Sequence, residues 1–104
     1  MTGITTHVLD TSVGRPAGGV AVRLLRGSVE LASGTTDDDG RWVALVGDAT
    51  TAGDYQLAFA TGAYYGGASF HPQVTVDFTV GDPAQHHHVP LLLSPFGYTT
   101  YRGS

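Results

Sequence analysis

Residues 86–104 read HHHVPLLLSPFGYTTYRGS, and the prediction of the fold begins with this stretch. Two segments of strand-like composition, 86–93 and 97–102, are separated by the turn-forming residues 94–96. His86 and His88 are two residues apart, so on a strand both imidazoles point to the same face. Chain ends usually fray, but this one ends on Tyr-Arg-Gly-Ser directly after the second segment. We therefore expect a pair of strands whose terminal side chains belong to a site.

Alternation of apolar and polar residues with a period of two recurs along the rest of the chain. It is clearest in residues 74–80, where Val and Phe alternate with Thr and Asp. The other candidate strands are 4–10, 20–25, 30–36, 41–46 and 55–60. Several short strands between Gly, Pro and Asp clusters are typical of an all-β sandwich. Because 104 residues suit one domain, we predict a single all-β domain over residues 1–104.

The composition excludes several classes of partner. Five Arg and no Lys stand against nine acidic residues, and the resulting formal charge of -4 disfavours nucleic acid and anionic membranes. Only 13% of residues are charged, which favours burial against other subunits. The chain has no cysteine, so stability has to come from packing and assembly. Neither a secretory signal nor an apolar run of roughly 20 residues is present, which predicts a cytoplasmic protein.

Two further candidates for chemistry lie outside the C-terminal stretch. His7 lies within the segment TTHVLD of residues 5–10, where alternation places Thr5, His7 and Leu9 on one face of a strand. Arg41 follows the turn signal DDDG of residues 37–40. Either residue has a structural alternative, since His7 could bond a hydroxyl or the backbone, and Arg41 could pair with the neighbouring aspartates. As a functional residue, Arg41 offers a planar, always-charged fork that suits an anionic ring.

Together these segments resemble the 5-hydroxyisourate hydrolases, enzymes of the transthyretin-like family. The likeness is carried by TTHVLD at residues 5–10, DGR at 39–41 and HxHVPLLLSPFGYTTYRGS at 86–104, and it runs from Thr5 to Ser104. The terminal YRGS combined with the upstream HxHVPLL is a specific signal, whereas DGR alone is weak. The resemblance implies a transthyretin-like sandwich of seven to eight strands with one short helix at residues 61–66. It also implies a homotetramer with active sites at the central interface.

The resemblance further implies that the chain hydrolyses 5-hydroxyisourate to 2-oxo-4-hydroxy-4-carboxy-5-ureidoimidazoline in urate catabolism, without metal or cofactor. The catalytic residues would be His7, Arg41 and His88, and the substrate would be bound by His7, Arg41, Tyr101 and Ser104. His87 departs from the family pattern, in which this position is usually aromatic. Because successive side chains on a strand alternate, we expect His87 to face away from His88 and to affect packing rather than chemistry.

Three other functions stay open at this point. The first is a transthyretin-like carrier of hydrophobic ligands, although vertebrate carriers lack the His, Arg, His and YRGS set. The second is a metal-dependent hydrolase, because His86 and His88 on one face could join His7 around a transition metal. The third is a non-catalytic sandwich module, in which the histidines form only a surface cluster.

Overall fold

A computed structural model describes residues 3–104 as two β-sheets packed face to face. The strands are β1 (Gly3–Asp10), β2 (Arg15–Pro16), β3 (Ala21–Arg26), β4 (Val29–Thr35), β5 (Arg41–Val46), β6 (Gly53–Phe59), β7 (Val74–Val80), β8 (His86–Leu93) and β9 (Tyr98–Thr100). A single helical turn, α1 (Thr61–Tyr64), follows β6, and a 3₁₀ turn (Gly47–Ala49) follows β5. The predicted all-β sandwich with one short helix is therefore confirmed.

Each of the eight predicted segments contains a strand, and β2 is an addition to them. Residues 14–16 lie in none of the predicted strands, but Pro16 and Arg15 pair with Leu9 and Asp10 at the end of β1. Neither α1 nor the 3₁₀ turn, the helices of residues 3–104, is long and apolar enough to cross a membrane.

The first sheet places the two ends of the chain at its centre. β1 pairs with β2 and β5 on one side and with β8 on the other, and β9 pairs with β8. The β1–β8 pair is parallel, whereas the other pairs are antiparallel. In this register Thr5 lies opposite His88, and Gly3 lies opposite His86. The second sheet has the order β4-β3-β6-β7.

The core fills the space between the sheets and fixes which face of each strand is free. Ile4 and Val8 of β1 are fully buried, as are Leu24 and Leu57 of the second sheet. On β8 the inward-facing residues are His87, Val89, Leu91 and Leu93. A one-residue slip would turn this apolar set outward, so burial determines the register. The predicted alternation of β1 is confirmed, since Thr5, His7 and Leu9 stay partly exposed.

Asp10 ties helix α1 to the end of β1. Its carboxylate is 96% buried by area and accepts hydrogen bonds from the hydroxyls of Tyr64 (2.9 Å) and Tyr65 (3.0 Å) and from Ser12. Burial alone would raise the pKa of Asp10, but these bonds outweigh it and lower the pKa below its ordinary value of 3.8. Tyr64 and Tyr65 thus hold the helical turn against the end of β1 through their hydroxyl groups.

Replacing Asp10 with Ala should destabilise the fold by about 2–3 kcal/mol, because two half-buried phenol groups lose their acceptor. Asp48→Ala, at an exposed carboxylate, should change the free energy of unfolding by less than about 0.5 kcal/mol. Urea unfolding measures both. Since folding lowers the pKa of Asp10, its contribution is complete above pH 3.8 and is lost as the pH falls through the folded-state pKa. Equal stability of the two variants at pH 7 would contradict this account.

Candidate active site

Four of the chemically active residues share the outer face of the first sheet. Arg41 of β5 lies directly opposite His7 of β1, while His86 and His88 lie on the neighbouring strand β8. A register shift after Ile4 keeps Thr5 opposite Val43. Arg41 and Val43 of β5 therefore point outward together with their β1 partners, His7 and Thr5. The strand pairing therefore brings together side chains from the two ends and the middle of the chain.

A cleft of about 270 Å³ opens on this face. It is lined by Thr5, Thr6, Arg41, Trp42, Val43, His86, His88 and Ser104. Trp42 is half-buried and packs against the core. The cleft combines one fixed positive charge, two imidazoles and the end of the chain over an apolar floor.

Thr5 links the two histidines of β8. Its hydroxyl oxygen lies 2.7 Å from Nε2 of His86 and 2.8 Å from Nδ1 of His88. Opposite His86 stands Gly3, which has no side chain, so the His86 ring is free to lean toward Thr5. The two rings are 6.0 Å apart and tilted by 37°. With Nδ1 engaged, His88 has Nε2 left to meet a ligand.

His88 is held in a neutral state by its surroundings. Burial lowers the pKa of His88 first, and the positive charges of His86, Arg41 and His7 lower it further. The chain end also fixes the ring in place. The backbone N–H of Gly103 donates to the His88 carbonyl at 2.8 Å, and a methyl group on Gly103 would lie 2.5 Å from Cδ2 of His88. Only glycine fits at this position.

The acidic turn before Arg41 organises backbone rather than neutralising charge. Asp37 accepts the N–H groups of Asp39 and Arg41, each at 2.9 Å. Gly40 has a φ of +77°, and a Cβ there would collide with the carbonyl of Val8. Within residues 3–104 the one ion pair joins Arg23 to Glu30, so no carboxylate of that range pairs with Arg41.

The turn also fixes the tautomer of His7. Nε2 of His7 lies 2.8 Å from the carbonyl oxygen of Asp39, and that oxygen can only accept, so Nε2 carries the proton. Nδ1 of a neutral His7 is therefore the basic nitrogen. His7 therefore makes the backbone bond that a purely structural histidine would make, and it also keeps Nδ1 available to accept a proton.

Of the predicted site residues, Arg41, His88 and Ser104 line the cleft, whereas His7 and Tyr101 do not; His7 lies on the same sheet face, opposite Arg41. Ser104 lines the cleft, whereas Tyr101, 57% exposed, lines an adjoining groove of about 290 Å³ that shares His88. His87 points to the core side, where it is 4% exposed and its Nδ1 donates to the Gln85 carbonyl at 2.9 Å. The expectation that His87 faces away from His88 is therefore met.

Two contributors to the cleft were missed from the sequence. The sequence pattern places Thr5 on the same strand face as His7 without indicating its contacts, and it shows Gly103 only as part of the terminal YRGS. Alternation places Thr5 outward, but its contact with His88 depends on the β1–β8 register, which no local pattern encodes. Among residues 3–104, no three His, Asp or Glu side chains are arranged to hold a metal ion.

Comparison with known proteins places this chain. Residues 4–103 match the model of the HIUase/Transthyretin family, and the chain belongs to that family. A curated 5-hydroxyisourate hydrolase of Caulobacter vibrioides is 44% identical over 115 residues, covering all of both chains. The solved 5-hydroxyisourate hydrolase of Klebsiella pneumoniae superposes with a TM-score of 0.90 at 39% identity, covering 100% of each. Transthyretin from Sparus aurata has a TM-score of 0.89 at 32% identity, covering 99% of this chain and 97% of its own.

The resemblance seen in the sequence is thereby confirmed. A 5-hydroxyisourate hydrolase and a transthyretin share the fold almost equally well, so the fold does not separate an enzyme from a transthyretin. The residues of the site have to distinguish the two functions.

The electrostatic account of His88 predicts a shift that NMR can follow. Arg41→Gln removes a nearby positive charge, so the pKa of His88 should rise toward its ordinary value of 6.5. Arg23→Gln, on the other sheet, should leave the pKa unchanged. Titration of the imidazole ¹H and ¹⁵N signals measures both variants. An unchanged His88 titration in Arg41→Gln would mean that the guanidinium lies too far away to act on the ring.

The close approach of the tail predicts a steric effect. Gly103→Ala should push the His88 ring aside and cost about 1–3 kcal/mol, as overpacking does. Gly97→Ala is the matched control, because the nearest atom to its new methyl group is Ser94 Oγ at 3.9 Å, and neither glycine has a positive φ. Urea unfolding and the His88 ring shifts report the two effects. A Gly103→Ala variant with native ring shifts would contradict the contact.

Proposed function

We infer that this chain hydrolyses 5-hydroxyisourate to 2-oxo-4-hydroxy-4-carboxy-5-ureidoimidazoline, a step of urate catabolism. The observation that carries the inference is the convergence of Arg41, His86, His88 and Ser104 around Thr5 in one outward cleft, beside His7. The curated relatives named above as hydrolases support the same activity. A carrier of hydrophobic ligands has no need of a titratable histidine pair beside a free guanidinium.

The protein has to assist three events in this reaction. Water adds to a ring carbonyl, negative charge develops on its oxygen, and the adjacent C–N bond breaks as the nitrogen takes up a proton. His7, with basic Nδ1, and His88, kept neutral with Nε2 free, are suited to accept and return the proton near pH 7. We propose both as catalytic residues that share these transfers.

Arg41 is proposed to orient the ring and to stabilise the developing oxyanion. Such a donor contributes about 3–4 kcal/mol when it is placed before the reaction starts. Ser104 is proposed to hydrogen-bond the substrate from the chain end. Tyr101 is proposed to contribute from the groove on the far side of His88. Protein residues supply every group in this scheme, so it requires neither metal nor cofactor.

A cytoplasmic homotetramer is the assembly that we propose. Large apolar side chains stand in solvent, including Val43 at 52%, Val46 at 69% and Phe96 at 80% exposure. Val43 lies on the floor of the cleft itself, so a second copy placed over this face would bury it and shield the site from water. The low fraction of charged residues favours the same burial.

Activity of histidine variants tests the proposed roles. His7→Asn and His88→Asn should each lower kcat by about 10²–10⁴-fold, the usual contribution of general acid–base catalysis. His71→Asn should retain activity, because the His71 ring packs between Phe70 and Tyr98 rather than in the cleft. The decay of freshly generated 5-hydroxyisourate is followed by absorbance. Wild-type turnover in His88→Asn would remove that residue from the mechanism.

The same assay decides between the remaining functions. An active protein that a chelator does not inhibit supports the metal-free hydrolase. Inhibition by a chelator with recovery on adding zinc would favour the metal-dependent alternative. A folded wild-type protein that leaves the substrate to its spontaneous decay would favour a carrier.

Sedimentation velocity tests the assembly. The wild-type protein should sediment as a tetramer at micromolar concentration, and Val43→Lys should dissociate it by placing charges in the shared face. Val29→Lys is the matched control on the outer strand β4 of the second sheet, where the valine is 58% exposed. A monodisperse active monomer would contradict the proposed arrangement.

A further inference from the structure

The contact between Thr5 and two imidazoles restricts where the protons can be. A hydroxyl group has one proton to donate, yet Thr5 lies within hydrogen-bond distance of a ring nitrogen on both sides. If both nitrogens were unprotonated, one of the two contacts would set a lone pair against a lone pair. At least one of the two nitrogens therefore carries a proton, and the simplest arrangement has one protonated and one bare.

We propose that Thr5 is a positioning residue that couples the protonation of His88 to that of His86 through its hydroxyl group. When Nδ1 of His88 donates to Thr5, the hydroxyl donates to Nε2 of His86, and Nε2 of His88 is the bare, basic atom. In the opposite state Nε2 of His86 donates to Thr5, Thr5 donates to Nδ1 of His88, and Nε2 of His88 carries the proton. His88 can thus serve as base or acid according to the state of the triad.

Moving between the states shifts two protons in step, and the net result is the transfer of one proton from His88 to His86. After Nε2 of His88 has taken a proton, its Nδ1 proton passes to the Thr5 oxygen while the Thr5 hydroxyl proton passes to Nε2 of His86. One N–H and one O–H bond break, and one O–H and one N–H bond form. The positive charge moves from His88 to His86, and no other reactant is required.

The surroundings favour this direction. His88 faces His7 on β1, Arg41 on β5 and His86 on its own strand, and its pKa is lowered by burial and by all three charges. The end of the chain, Ser104, lies in the same cleft. A proton held on His88 is thus disfavoured. The Thr5 hydroxyl gives that proton a path to His86. The catalytic part of this inference rests on the proposed hydrolysis, but the coupling itself does not.

Three variants separate the coupling from mere packing. Thr5→Val keeps the shape of the side chain but removes the hydroxyl, and Thr5→Ser restores it. Thr11→Val is the matched control, since the Thr11 hydroxyl donates to the Leu93 carbonyl at 3.0 Å, outside the cleft. Imidazole ¹⁵N shifts across a pH series report which nitrogen carries the proton, and kcat and KM are measured over the same range.

In the wild-type protein at neutral pH, only one of the two nitrogens, Nδ1 of His88 or Nε2 of His86, should carry a proton at a time. Thr5→Val should abolish this relation, lower kcat by about 10²-fold with little change in KM, because His88 loses its positioning partner, and shift the pH profile. Thr5→Ser should restore all three properties, and Thr11→Val should leave them unchanged. Adding His86→Ala to Thr5→Val should reduce kcat no further, because both changes break one relay.

Unchanged ¹⁵N shifts and an unchanged pH profile in Thr5→Val would overturn the proposal, as would full additivity of the Thr5 and His86 changes. The NMR measurement is made without substrate, so it decides the coupling even if the wild-type protein fails to hydrolyse 5-hydroxyisourate. That failure would instead count against the proposed function.

Discussion

The parallel pairing of β1 with β8 is the interaction on which the rest of the structure depends. It joins segments more than eighty residues apart, as the 83-residue separation between Thr5 and His88 shows. Parallel strands need a long crossover, and here nearly the whole chain, including the entire second sheet, serves as that connection. The pairing is stabilised from the core side by Ile4 and Val8 against the inward residues of β8. The outward side of the same ladder then carries the histidines, so one set of backbone bonds aligns both the core and the cleft.

The cleft illustrates how a weakly charged protein uses the few charges that it has. Arg41 has no carboxylate partner among residues 3–104, although three aspartates precede it, and the first of these, Asp37, accepts backbone N–H groups instead. The guanidinium, unpaired within that range, is available to an anionic ligand, and it adds to burial and to His86 in lowering the pKa of His88. The Arg41 side chain therefore contributes both to the binding of an anionic ligand and to the lowered pKa of the His88 imidazole. Substituting Lys would preserve the charge but not the planar fork.

Much of this architecture could be predicted from the sequence, because most of it follows from local alternation. The period of two in 74–80 and in β1 reports burial directly, and the faces of His7 and His86 followed from it. Residue roles such as that of Thr5 could not be predicted in this way. They depend on register between distant strands, and register is set by the whole core rather than by any one segment. Tyr101 shows the same limit, since its distance from the cleft is decided by where β9 ends.

The return of the chain end to its beginning has a topological consequence. Ser104 lines the cleft beside Thr5, and Gly3 lies opposite His86, so residues 3 and 104 reach the same end of the central β1–β8 pair. A short linker between them would make β8, β9 and β1 consecutive, and new ends could be opened at the exposed β3–β4 turn around Gly27. In such a circular permutant the β1–β8 pair would become local, while the β3–β4 and β3–β6 pairs would become long-range. Because folding rates depend on how local the contacts are, a comparison of the two chain orders would show which strand pairing limits the formation of this architecture.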